Sequence, residues 1–273
     1  MEKLLKIGIA GCGAIGASLA KAITSDFPDK AELCSLYDIE VARAYQLANK
    51  FSNAKLAVLS LDDLINRADL VIEATKAESS FEIAKKSLAS GRSIMIMSVG
   101  GILEHYKELS VLAAEKKCRV YIPSGAVCGI DALKAAKHSG ISKVTLVTKK
   151  PAKAFVGVPY VLKRKIRLDN ITEDTVLFEG DALTAIRAFP QNINVAATLS
   201  LAGVGSAGTF VRIVASAGIN TNIHELEIES KAGRIVCRTE NTVHPDNPKT
   251  SYLAVLSAIT VLKDILEPVR IGT

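Results

Sequence analysis

The chain has 273 residues, 49% of them hydrophobic and 23% charged, which is enough for two domains with separate cores. The formal charge of +6 does not make a nucleic-acid surface: lysines and arginines are spread among carboxylates, and the one dense basic run, Lys163-Arg164-Lys165, reads as a solvated face. No apolar span is long enough to cross a membrane, and the five cysteines show no metal-ligand spacing, so neither a membrane nor a metal is expected.

The N-terminus carries the most chemistry. Leu5 to Ala10 reads as a short apolar strand, and Gly11-Cys12-Gly13-Ala14-Ile15-Gly16 as a turn opening an alanine-rich helix. Gly11 makes the tight turn, Gly13 lets backbone N–H groups approach a pyrophosphate, and Gly16 lets the helix lie close to the strand. Leu33 to Asp38 reads as a second strand ending in an acid about 20 residues beyond the glycines, where a carboxylate would bond ribose hydroxyls. Gly11, Gly13, Ala14, Ile15, Gly16 and Asp38 are therefore the candidate dinucleotide residues, with NAD expected and NADP as the alternative. The strand begins within the first residues, which leaves no room for a signal peptide. With an odd number of cysteines, a reducing cytoplasm is expected.

The alternation continues. Val41 to Phe51 reads as a helix, Leu56 to Leu59 as a short strand, Leu61 to Asn66 as a helical turn or two, and Asp69 to Ala74 as a buried strand. A helix over Phe81 to Ser90, a strand over Ser93 to Ser98, a helix over Leu109 to Lys117 and a strand over Arg119 to Ile122 complete a doubly wound α/β domain. Ligands in such sheets cross the carboxyl ends of the strands, so Glu73-Ala74-Thr75 and Ser98 to Gly101 join the glycine turn at that edge.

After Ile122 the pattern changes to an α+β domain. Pro123-Ser124-Gly125-Ala126 precedes a helix over Ile130 to Lys137, and offers small residues and N–H groups to a nicotinamide or a substrate carboxylate, or is a plain interdomain turn. Ser142 to Lys149 and Tyr160 to Ile166 read as strands, and Leu177 to Asp181 precedes an alanine-rich helix. A second such helix begins near Asn194, whose side chain shares a face with Thr198. Thr209 to Ser216 is a strand, and Ile223 to Glu229 with Arg234 to Thr239 a hairpin. In that hairpin His224, Leu226 and Ile228 share one face and three glutamates the other, so His224 points to the interior or to a cleft in it, as a core or a catalytic residue. His244 lies among turn formers and is expected in a surface or capping role, and Cys128 is expected to be inertly packed. Thr250 to Leu266 reads as an apolar helix returning to the first domain. The expected division is 1–122, completed by 245–273, and 123–244.

Five segments together resemble the L-aspartate dehydrogenase family of NAD(P)-dependent amino-acid dehydrogenases. They are Ile7 to Gly16, Ile122 to Ala126 with Gly129 to Leu133, Phe189 to Leu199, Asn222 to Glu225, and Asn247 to Ser251. The resemblance implies a Rossmann domain, an α+β catalytic domain that supports a homodimer, and oxidation of L-aspartate to iminoaspartate, feeding NAD biosynthesis. It also implies that Ala126 and Asn194 contact the cofactor and that His224 is the active-site histidine. Cys128 departs from the small residue usual there. Thr198, Lys249, Thr250 and Ser251 are candidates for the substrate carboxylates. A different two-domain reductase and a non-catalytic dinucleotide sensor are the alternative readings.

Overall fold

Continuous apolar runs bounded by glycine turns suit strands buried on both faces, and the first part of the chain folds accordingly. The computed structural model describes residues 3–189, 194–245 and 247–272, with only the backbone of Pro248 and Lys249. Strands β1 (Leu5–Ala10), β2 (Ala31–Tyr37), β3 (Leu70–Glu73), β4 (Ser93–Ile96) and β5 (Val120–Tyr121) form a parallel sheet in the order β2-β1-β3-β4-β5. Helices α1 (Ala14–Asp26), α2 (Val41–Lys50), α3 (Leu61–Arg67), α4 (Ala77–Ala89) and α5 (Tyr106–Glu115) connect them. Ile7, Ile9, Leu33, Ile72 and Met95 share one buried cluster with Leu19, Ala20 and Ile23 of α1. Strand order reverses between β1 and β3, which places the ligand crevice of such a sheet beside the glycine turn.

The expected strand at Leu56 to Leu59 does not form. A short 3₁₀ turn over Ala54–Leu56 replaces it, leaving one bridge from Ala57 to Leu36. Asn53 accepts a bond from the backbone N–H of Lys55 and starts that turn, so local capping prevails over the apolar run.

The second unit is built on a mixed sheet. Its elements are α6 (Ile130–Lys137), β6 (Ile141–Pro151), α7 (Pro159–Lys163), β7 (Thr175–Asp181), α8 (Ala182–Ala188), α9 (Asn194–Ala202), β8 (Thr209–Ser216), β9 (Asn222–Ser230) and β10 (Gly233–Asn241). The strand order is β10-β9-β6-β8-β7, with only β6 and β8 parallel. Val144, Leu146, Leu226 and Ile228 on one face pack with Leu133 of α6, Ala182 and Ala185 of α8 and Leu199 of α9. On the other face arginines and glutamates pair across strands, Arg212 with Glu179, Arg234 with Glu227 and Arg238 with Glu225, and Arg238 also pairs with Glu240 along β10. The glutamate face of the hairpin is thus solvated.

Two expectations are corrected here. The segment Tyr160 to Ile166 is not a strand: Pro159 stands at the first position of α7, where its fixed φ favours a helix. Tyr160 then packs on Phe178 and Phe189, and Arg164 lies over its ring at 4.7 Å. His244 is buried rather than superficial. It lies in β11 (Val243–His244), paired with β12 (Asn247–Ser251), and its ring meets Tyr252 edge-on at 5.4 Å.

The chain divides by internal contacts into 1–123 with 258–269, and 124–257 with 270–273. The return to the first unit therefore comes later than residue 245. β11, β12 and the start of α10 (Tyr252–Leu266) go with the second unit, and α10 changes allegiance along its length. Ala254 packs on the second core, whereas Ala258 and Leu262 belong to the first. No helix among the described residues is long and apolar enough to cross a membrane.

Candidate functional site

In the first unit the three glycines do different work. Gly11 has φ +100, and an added Cβ would stand 2.3 Å from the Ala74 carbonyl oxygen at the end of β3. At Gly16 an added Cβ would stand 1.9 Å from the Gly11 carbonyl oxygen. Both are glycine because two backbones meet there. Gly13 differs: it has φ −75, and an added Cβ would meet no atom within 4 Å. Nothing among the described residues requires glycine there. An anion drawn to the N-terminus of α1 would, since a methyl group would stand in its way. Ala14 and Ile15 open that helix, whose first turn has no side-chain cap.

Asp38 follows β2 and is buried. One carboxylate oxygen accepts the N–H of Cys12 at 2.8 Å and the other the N–H of Glu40 at 2.9 Å. A carboxylate accepts about four hydrogen bonds, so it retains capacity for ribose hydroxyls. Burial, and then the Asp38 charge, push the Cys12 thiol up to about 12, so it stays protonated.

A carboxylate that the sequence placed at this edge without giving it a role organises the rest of it. Glu73, at the end of β3, is fully buried. Its oxygens accept bonds from the Thr75 N–H at 2.7 Å, Thr75 Oγ1 at 2.6 Å, Ser80 Oγ at 3.1 Å and the Ser98 N–H at 2.9 Å. Ser98 Oγ in turn donates to the Thr75 carbonyl at 2.9 Å. The loops after β3 and β4 are thus fixed through one carboxylate. Its visible signal was an acid ending an otherwise apolar strand.

In the second unit the helix-covered sheet face changes character along its length. Val144 faces Ile228 and Leu146 faces Leu226; the next inward pair is Thr148 and His224. His224 is 4% exposed, and its Nδ1 lies 3.1 Å from Thr148 Oγ1. Burial, and then the charge of Lys150, lower its pKa to about 3, so the imidazole is neutral at physiological pH. Lys150 is two residues beyond Thr148 and only 8% exposed, and burial lowers it to about 8. No sequence motif pointed to it.

The remaining candidates fall around this cluster or apart from it. The Ala126 carbonyl accepts Asn241 Nδ2 at 2.8 Å and Thr239 Oγ1 at 3.1 Å, and Thr239 pairs with His224 across the hairpin. Gly125, at φ +73, donates its N–H to Ser257 Oγ at 3.1 Å. Ala126 is thereby held in the same hairpin that carries His224. Asn194 is the exposed first residue of α9, and Thr198 is buried one turn on. Ser251 accepts Asn222 Nδ2 at 3.3 Å, two residues from His224, while Thr250 is engaged by Asn247 at 3.0 Å. The Lys249 side chain and residues 190–193 lie outside the described residues. Cys128 is exposed rather than packed: its thiol points to the Arg238 carbonyl at 3.8 Å beside Cys237.

Comparison with known proteins accounts for both units. Residues 11–123 match the family described as the NAD-binding domain of homoserine dehydrogenase, and residues 131–265 the C-terminal domain of aspartate dehydrogenase. An L-aspartate dehydrogenase of Methanosarcina mazei is 45% identical over 272 residues, covering 99% of this chain and all of the relative. The chain belongs to the L-aspartate dehydrogenase family. A relative of that name from Methanococcoides burtonii is 42% identical over 273 residues, again covering 99% of this chain and 100% of the relative. The crystal structure of aspartate dehydrogenase from Thermotoga maritima shares the fold, with a TM-score of 0.73 at 24% identity, covering 99% of this chain and 100% of that one. The first unit is therefore an NAD(P)-binding domain, which is what the space at Gly13 suits.

Gly13 and Gly16 should separate binding from folding. Gly13→Ala is expected to keep the melting temperature while weakening NAD about tenfold or more, because the displaced anion loses charge-assisted N–H bonds. Gly16→Ala should lower the melting temperature. Isothermal titration beside thermal unfolding reads both.

His224 also gives the fold an acid-sensitive element. Between pH 6.5 and about 3 the unfolded chain carries a proton here that the folded one does not, so stability falls as pH drops through that window. The loss from this group should approach about 1.4 kcal/mol per pH unit, and His224→Gln should flatten it in urea titrations at pH 4 to 7.

Proposed function

We propose that the chain oxidises L-aspartate to iminoaspartate with transfer of a hydride to NAD, followed by hydrolysis to oxaloacetate and ammonia. The observation that carries this reading is the buried, neutral imidazole of His224, set by Thr148 at the polar end of an otherwise apolar sheet face. The names of the full-length relatives support the substrate.

The chemistry follows from what each residue supplies. Oxidation removes a hydride from the α-carbon and a proton from the amine, leaving a C=N bond. NAD, when bound, accepts the hydride. Gly11, Gly13, Ala14, Ile15 and Gly16 would hold the pyrophosphate on backbone N–H groups, and Asp38 the adenosine ribose. Ala126 and Asn194 are the second unit's cofactor contacts in this reading. With Nδ1–H donated to Thr148, Nε2 of His224 offers its lone pair to the amine proton, and afterwards positions water for attack on the imine carbon. A histidine that is already neutral has its lone pair available at any physiological pH.

NAD is favoured over NADP. Asp38 would repel a 2′-phosphate, Glu40 adds a second carboxylate nearby, and Arg43 is held by Glu40 at 2.9 Å. Five free cysteines support a reducing compartment such as the cytoplasm. We carry the homodimer over from the family resemblance. We assign the product to NAD biosynthesis. Neither nucleic acid nor membrane enters this reading.

Three outcomes check it. His224→Ala should lower kcat for L-aspartate by about two to four orders of magnitude. Its affinity for NAD should stay unchanged, since the glycine turn and Asp38 belong to the other unit. Normal turnover in a folded His224→Ala protein would remove the residue from the reaction. The wild type should also form NADH with L-aspartate in preference to other L-amino acids. Asp38→Ala should shift the ratio of NAD to NADP affinity by about tenfold or more towards NADP, measured by titration with each dinucleotide.

A further inference from the structure

The second unit brings two thiols together from distant parts of the chain. Cys128 stands in the loop before α6 and is exposed, whereas Cys237, in the middle of β10, is half-buried. Strand alternation puts Cys237 on the helix-covered face, opposite Leu226 of β9 and packed on the second core. Two separate distances fix the neighbourhood. Cys128 Sγ lies 3.8 Å from the carbonyl oxygen of Arg238, the residue after Cys237. From the other side, a Cβ added to Gly129, the residue after Cys128, would stand 2.7 Å from Cys237 Sγ and 3.4 Å from its Cβ. Each thiol therefore lies against the backbone beside the other cysteine. Gly129 has φ +88 and leaves its side-chain space to the Cys237 sulfur.

The other three cysteines belong to the first unit. Their thiols point at carbonyls of that unit: Cys12 at Tyr37 at 3.6 Å, Cys34 at Arg67 at 3.5 Å and Cys118 at Lys116 at 3.5 Å. An exposed thiol beside a sheltered one suits a two-step oxidation, in which the first meets the oxidant and the second resolves the product. Burial, and then the neighbouring Cys128, raise the Cys237 thiol above its ordinary value, so it is the less ready of the two to react alone.

We propose that Cys128 and Cys237 form a modification site for peroxides, at which the exposed thiol is oxidised first and the sheltered one closes a disulfide. The Cys128 thiolate attacks one oxygen of hydrogen peroxide, the O–O bond breaks, and hydroxide leaves a sulfenic acid on Cys128. Cys128 then carries no negative charge to oppose ionisation of Cys237. The Cys237 thiolate attacks the Cys128 sulfur, the S–O bond breaks, and the departing hydroxide takes up a proton as water. In sum two thiols lose two electrons and two protons, and one peroxide becomes two waters. A small dithiol reverses the bond by exchange. The S–S bond is about 2.0 Å long, so closure draws the loop after Ala126 onto β10. That strand already holds the Ala126 carbonyl through Thr239 and Asn241.

The test is made on the reduced full-length protein exposed to hydrogen peroxide. Titration with an aromatic disulfide under denaturing conditions should show the loss of two thiols from the five. Peptide mapping without reductant should find one bridge, from Cys128 to Cys237 within one chain, and dithiothreitol should restore all five thiols. Cys237→Ser should stop at a sulfenic acid on Cys128, which dimedone traps. Cys128→Ser should slow the loss of thiols about tenfold or more, because the exposed partner is gone.

Five surviving thiols in the exposed wild type would overturn the proposal. So would a bridge that joins other cysteines or two chains, or oxidation of Cys128 to a sulfinic acid while Cys237 stays reduced. Should a serine variant not fold, the wild-type peptide map decides. These readouts do not depend on turnover, so they judge the thiol pair apart from the aspartate reaction.

Discussion

At the carboxyl ends of β1 and β3 the backbone of the glycine turn comes so close to its neighbours that no side chain fits at two positions. Gly11 lies against the Ala74 carbonyl and Gly16 against the Gly11 carbonyl. These contacts fix where α1 begins, and with it the direction of the N–H groups in its first turn. The Cys12 N–H is then aimed at Asp38, which ties the end of β2 into the same arrangement. Glu73 extends it to the loops after β3 and β4 through four hydrogen bonds on one buried carboxylate. Of the three glycines of this turn, Gly13 is the one whose added Cβ would meet no described atom within 4 Å. A close-packed backbone with one opening suits an anion held by amides at fixed distances.

The second unit meets the opposite problem, which is to keep polar groups dry without unfolding the sheet around them. It does so by confining them to one end of a face. The apolar rungs exclude water and supply stability, while Thr148, His224 and Lys150 sit where the helix cover meets the ends of β6 and β9. Burial there lowers the proton affinity of both nitrogen bases. Thr239 and Asn241 hold the Ala126 carbonyl from the adjacent strand, so the loop entering this unit is registered on the hairpin that bears the histidine.

Much of this was legible in the amino-acid order because local rules agreed with the fold. The continuous apolar strands of the first unit, the helix from Ile130 to Lys137, the strand from Thr209 to Ser216 and the 223–239 hairpin all carry one clear period. Tyr160 to Ile166 misled because aromatic and branched residues suit either state, and Pro159 tips the balance through its ring. His244 sits among turn formers, and only pairing with a later strand buries it. Lys150 was illegible for a different reason. In a lysine-bearing strand the alternation marks which residues face inward, but Lys149-Lys150 reads as a charged strand end. Only the register with β9 shows that the second lysine shares a face with His224. Glu73 had a signal, an acid closing an apolar strand, whose meaning depended on hydroxyls at Thr75 and Ser80 that no spacing rule connects to it.

The late return of the chain has a bearing on how the protein is made. Ala258 and Leu262 of α10 belong to the same buried cluster as Ile7, Ile9, Ile72 and Met95. On the ribosome those strands are synthesised more than a hundred residues before the helix that finishes their core. The nascent first unit therefore carries an uncovered apolar strip while the whole second unit emerges, and a chain released short of its last helix keeps that strip exposed. Such a surface is what chaperones bind and what aggregates in their absence. A copy truncated before α10 would hold every residue of the glycine turn and the histidine, yet lack Ala258 and Leu262 of this cluster.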